Sequence, residues 1–194
     1  MSEIRFEIFT EEQSMEIFLR ELLPRILPPE IKLDRNCFIR PHEGKSDLKK
    51  SLRNKIKAFP HYPNRVKLLV IHDQDANDCR RLKEELVSIC SSLSKGDFLI
   101  RIACKELENW YLGDLESIEK IYPDSRAGQF MNKSKFRVPD NLNGAQEMSY
   151  LTRKFSKSHA SREFGKIINL ENNRSNSFNH LISGIAKIFN PTSA

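Results

Sequence analysis

Residues 66–79 read VKLLVIHDQDANDC. Five apolar residues broken by one lysine empty into three aspartates, Asp73, Asp75 and Asp78, within six positions. Three carboxylates this close repel one another unless something positive stands between them. Ligation by oxygen alone favours a hard divalent cation, Mg²⁺ or Mn²⁺. An Asp-x-Asp pair at a strand end can turn both side chains toward one pocket as the chain departs. A cation held there cancels the repulsion, orients a phosphodiester and stabilises the charge that develops on it. Further acids recur in the same setting: Glu11 and Glu12 near the N-terminus, Glu106 and Glu108 farther along. A glutamate at Glu11 can ligate the metal or act as general base or acid. The competing reading makes these acids loop and cap residues. It is strongest for Asp78, which is placed to cap the helix that follows.

Those acids have to be delivered by the surrounding elements. Alternation in IRFEIFT (4–10) predicts a strand, and EEQSMEIFLRELLPRIL a helix with Ser14 as N-cap and Pro24 near its end. NCFIRP predicts a second strand, SDLKKSLRNKIKAF a helix from near Ser46, and VKLLVI a third strand buried on both faces. A helix over DCRRLKEELVSICSSL, a strand over DFLIRIA and one helix over KELENWYLGDLESIEKIY complete the alternation. Strands alternating with helices imply an α/β fold, a mainly parallel sheet with helices on both faces. Ligands bind such sheets at the carboxyl ends of the strands, where all three acid groups fall. Residues 1–122 form this α/β core. Residues 123–194 begin with an irregular stretch and continue as helices over AQEMSYLTRKFS, SREFGKIINL and SFNHLISGIAKIF, an extension packed on the core within one domain.

The chain has 194 residues, 39% hydrophobic and 30% charged, the profile of a globular protein with its own core. No apolar run is long enough for a bilayer, and Glu3, Arg5 and Glu7 leave no room for a signal peptide in the first ten residues. The four cysteines are widely spaced with no CxxC, as expected of reduced thiols in a cytoplasmic protein. The net charge is +6, and between Met131 and Lys166 eight Lys or Arg face three acids. A basic flank beside acidic foci suits a metal-dependent enzyme acting on phosphates; a solvated basic face is the plainer alternative. Lys133, Lys135 and Arg137 flank Phe136, a basic and aromatic mixture that can hold single-stranded nucleic acid. Lys45 and Arg162 are further candidates for phosphate contacts.

IFTEE, VIHDQD and IACKELENWYLGD, in that order on a β-α alternation, resemble a Toprim domain, the Rossmann-like module of topoisomerases, primases and OLD-type nucleases. More closely, six ordered blocks resemble a bacterial Toprim-like family of unknown function encoded beside AAA or ABC-type ATPases and associated with phage defence. They are EEQSMEIFLRELLPRIL, HEGKSDLKK, HDQDANDCRRLK, RIACKELENWYLGD, KFRVPD and NSFNHLISGI. The resemblance implies a Mg²⁺-dependent nuclease with nucleic acid and an ATPase as partners, with no membrane and with a homo-oligomer left open. It places the Toprim glutamate on Glu11, with Glu12 where many Toprim domains carry glycine, so the choice between the two stays open. The Asp-x-Asp falls on Asp73 and Asp75. Glu106 and Glu108 match a family acid pair. If both are helical they face nearly opposite ways, so one reaches a metal, and Glu106 stands nearer the strand end.

Two rival readings share these residues. A non-catalytic sensor or regulator of a partner ATPase keeps the fold and the acids. A phospho-accepting receiver also has acids after strands one and three, but it wants a Ser or Thr after strand four and a Lys after a fifth strand, and neither is evident. GKS at 44–46 is no P-loop, since Ile39 stands where a Walker A glycine is required. Alternation points His72 away from Asp73, toward the core, and His42 sits in the loop before Gly44.

Overall fold

The computed structural model describes residues 4–94 and 96–190. Four strands, β1 (Ile4–Thr10), β2 (Cys37–Pro41), β3 (Arg65–Asp73) and β4 (Phe98–Ala103), form one parallel sheet in the order β2-β1-β3-β4. Helices α1 (Gln13–Leu22), α2 (Lys45–Ala58) and α3 (Cys79–Ile89) connect them. The expected α/β architecture is therefore present.

Alternation along the central strand sets the two layers. Leu69 and Ile71 face a core with Phe18, Leu19 and Leu22 of α1, whereas Leu68 and Val70 face a second core with Leu48, Leu52 and Leu86 of α2 and α3. The first core extends into the C-terminal half. Trp110 and Tyr111 of α4 (Leu107–Leu112), Phe164 of α7 (Lys157–Ile167) and Phe178 of α8 (Asn176–Phe189) are all fully buried there. Buried hydroxyl partners satisfy the polar ends of the two α4 rings: Trp110 Nε1 donates to Ser177 Oγ (2.9 Å), and Tyr111 Oη to Ser161 Oγ (3.1 Å).

Three local expectations change. The helix expected over 105–122 is two, α4 and α5 (Leu115–Ile121). Asp114 stops the first by capping the second, accepting from Ser117 N–H (3.1 Å) and also from Asn169 N–H (2.8 Å). Ser14 is not the N-cap of α1: the helix starts at Gln13 with Glu12 in the cap position. The irregular stretch before α6 (Gly144–Thr152) consists of short 3₁₀ turns.

Candidate functional site

In this strand order β1 and β3 are neighbours whose onward connections run to opposite faces of the sheet, α1 to one and α3 to the other. The carboxyl ends of such a pair open a crevice. Glu11 and Glu12 follow β1, Asp73 ends β3, and Asp75 follows it.

Asp73 continues the Leu69–Ile71 face and turns inward. It is 9% exposed, and its Oδ1 is buried with no hydrogen-bond partner. Burial, then the nearby carboxylates of Glu12, Glu11 and Glu108, hold its pKa well above the ordinary carboxylate range. Glu108 is 1% exposed, and its Oε2 is likewise without a partner. Burial pushes its pKa up to about 7, only partly offset by Lys157. Lys157 Nζ reaches in from α7 to 3.7 Å from Glu108 Oε1 and 3.6 Å from Glu12 Oε2. Burial pulls the Lys157 pKa down, but Glu108, Glu12 and Asp73 outweigh it and keep the ammonium above its usual value.

The choice between Glu106 and Glu108 runs opposite to the sequence expectation. Glu108 faces the cluster. Glu106, nearer the strand, turns to α6, where its Oε1 accepts from Ala145 N–H (2.8 Å). The cause is Asn109, fully buried at the start of α4. Its Oδ1 accepts from Lys105 and Glu106 N–H (3.0 Å each), and its Nδ2 donates to the carbonyls of Pro139 (2.7 Å) and Leu142 (3.0 Å). All four bonds are used, which fixes the first turn of α4 and the way its glutamates point. Sequence reasoning missed Asn109 and Lys157; an Asn three residues into a helix after Glu106 is the one local signal for the former.

Glu11 lies on the other side of the strand end. Its Oε2 accepts from Asp73 N–H (3.2 Å) and stands 2.8 Å from His72 Nδ1. Nδ1 is also 2.6 Å from the Asp73 carbonyl, so it carries the proton and donates, leaving Nε2 buried without a partner. The expectation that His72 points only into the core is thus half right: the ring does, but its Nδ1 edge holds Glu11. His42 Nδ1 lies 2.9 Å from the Thr10 carbonyl and its ring stacks on Phe9.

Asp75 is exposed, in the left-handed region (φ 49°), and ion-paired to Lys45 at 2.5 Å. That hydrogen bond raises the Lys45 pKa and brings its ammonium to the rim. Asp78 is exposed and caps α3, accepting from Arg81 N–H (2.8 Å). Phe136 is buried, so it cannot stack a base as the sequence suggested. Lys135 beside it pairs with Glu147 at 2.7 Å. Lys133 and Arg137 are exposed on the same turn, and Arg162 is exposed on α7.

A protein-family model described as a domain of unknown function, DUF4276, matches residues 10–186. The chain belongs to this family. No curated protein and no solved structure matches it. The matched span runs from the end of β1 into α8 and so takes in the whole rim: Glu11, Glu12, Asp73, Asp75, Glu108 and Lys157. Among the described residues, no helix is long and apolar enough to cross a membrane.

Proposed function

We propose that this DUF4276 chain is a Toprim-type, Mg²⁺- or Mn²⁺-dependent phosphodiester hydrolase acting on DNA or RNA, serving as an effector beside an AAA or ABC-type ATPase in phage defence. One observation carries the reading: two buried carboxylates, Asp73 and Glu108, each with an unpartnered oxygen, at the switch point of a parallel sheet. A buried polar oxygen without a partner is costly, and a functional ligand is a common reason for retaining it.

The donor set fits a hard cation, being carboxylate oxygen throughout. No group of three His, Cys, Asp or Glu side chains among the described residues is already gathered as a ligand shell, so rotation of side chains has to complete it. Asp73, Glu108 and Glu12 would hold the ion, with Glu11 and Asp75 at its edge. Bound there, the ion supplies Lewis-acid polarisation of a phosphoryl oxygen. The chain's own groups do the rest. Lys45 and Lys157 place positive charge at the rim to hold and orient a phosphate. Glu11, steadied by His72 and the Asp73 N–H, would take a proton from an attacking water.

Purified protein should cleave plasmid, single strands or tRNA when Mg²⁺ or Mn²⁺ is added. Asp73→Ala should lower the rate by at least about 100-fold, as when one preorganised electrostatic partner is removed. Identical behaviour of wild type and variant on every substrate would end the catalytic reading.

Lys157 also favours a second reading, a non-catalytic regulatory subunit, because its ammonium offsets the acidic cluster without any metal. Capture of an ATPase by the chain, with the activity of the complex intact in Asp73→Ala, would select it.

A further inference from the structure

Helix α6 begins at the acidic rim and leads away from it. Its first residues rest on α4: the Glu106 carboxylate accepts from Ala145 N–H, and a Cβ on Gly144 would lie 2.9 Å from Glu108 Cβ. A cavity of about 680 Å³ opens there between Asp75, Lys105, Glu106, Asn143 and Gln146. At the other end of the helix a second cavity, about 440 Å³, lies between Phe130, Lys133, Leu151 and Tyr150. The two adjoin along the helix, the first lined as far as Gln146 and the second from Glu147.

The exposed face of the helix carries a chain of polar contacts. Lys105 Nζ donates to Asn143 Oδ1 (3.3 Å), Asn143 Nδ2 to Gln146 Oε1 (3.3 Å), and Gln146 Nε2 to the Tyr150 hydroxyl (3.2 Å). Tyr150 is 70% exposed, an aromatic ring in water whose hydroxyl accepts from Gln146. Basic residues border the far end: Lys133 before the helix, Arg153 and Lys154 after it, all exposed.

We propose that this face of α6 is a binding track for single-stranded nucleic acid, feeding a strand toward the acidic rim. Amides carry donors and acceptors in pairs, the pattern that matches base edges. An exposed ring gives one base a stacking platform, and the flanking cations meet the backbone. A duplex offers neither a free base face nor an open Watson–Crick edge, so the occupant is a single strand. Its identity as nucleic acid rests on the phosphodiester reading of the rim; the polar contacts, the exposed ring and the basic border are separate observations.

Binding in EDTA separates the two. Fluorescence anisotropy with labelled single-stranded DNA and RNA of about 12 nucleotides, within the span of known single-strand sites, is compared with the matching duplex. Single strands should bind more tightly than the duplex. Tyr150→Ala should weaken single-strand binding about 5- to 150-fold, the loss of one stacked base, while its thermal unfolding stays that of wild type. Tyr150→Phe, which keeps the ring, should remain within a few-fold. Equal single-strand affinity for wild type and Tyr150→Ala, preference for the duplex, or no binding to any strand would overturn the track. Tyr150-dependent binding in a protein that cleaves nothing with Mg²⁺ or Mn²⁺ would sustain the track and remove the hydrolase. Cleavage that Tyr150→Ala leaves untouched in both rate and strand preference would do the reverse.

Discussion

At the scale of single residues, the site is defined by carboxylates in the wrong environment for their charge. The pKa of Glu108 is pushed up to about 7 by burial, against 4.5 for an ordinary glutamate. Between those values the native state binds more protons than the unfolded chain, so stability falls as pH rises through the window. In chelator, wild type should lose up to about 3 kcal/mol between pH 4.5 and 7 from this group, about 1.4 kcal/mol per unit. Glu108→Gln should make that slope shallower in denaturant titrations run at successive pH values, leaving the part that Asp73 contributes. An unchanged slope would mean the carboxyl is not held neutral by its surroundings. Lys157 acts in the opposite sense. Lys157→Met should destabilise the chelated protein more at pH 8 than at pH 6, since Glu108, which it faces, is then more fully ionised. Added Mn²⁺ should narrow the difference in melting temperature, because a cation takes over the same role.

At the scale of elements, strand ends and one helix junction bring the site together. The β-α alternation, the Asp-x-Asp at the end of β3 and the acids after β1 were legible in the sequence, because period-two patterning and strand-end chemistry are local. The orientation of Glu108 was not, since Asn109 sets it by bonding a turn some thirty residues later. Lys157 was also invisible as a site residue: it arrives from α7, whose position depends on core packing by Phe164 and on the contact of α7 with α1. The break at Gly113–Asp114 escaped for the same reason, as the second partner of Asp114 is Asn169. The junction of α4 and α6 is correspondingly tight. Gly144→Ala would put a methyl group 2.9 Å from both Glu108 Cβ and Asn109 N, where neighbouring backbone has to shift. It should cost about 1–3 kcal/mol in chemical denaturation, the range for overpacking. It should also lower single-strand binding by moving the start of α6. A variant as stable as wild type would show that the junction has slack.

At the scale of the whole molecule, charge is divided by position. Carboxylates gather at the crevice while the chain as a whole carries +6. A net positive charge favours association with a polyanion, which the proposed function requires. Single-strand affinity should therefore fall with salt, and Lys133→Ala should reduce the log–log slope by about 0.7, the loss of one phosphate contact. A slope unchanged by that substitution would take Lys133 out of the interface. In the proposed function, the buried Asp73 Oδ1 and Glu108 Oε2, two carboxylate oxygens without a partner, hold a divalent cation. Anomalous diffraction from a crystal soaked in Mn²⁺ tests it most directly. The expected result is a peak at ligand distance from the Asp73 and Glu108 carboxylates, absent in Asp73→Asn. A well-ordered crystal saturated with Mn²⁺ that shows no peak beside Asp73 would contradict it.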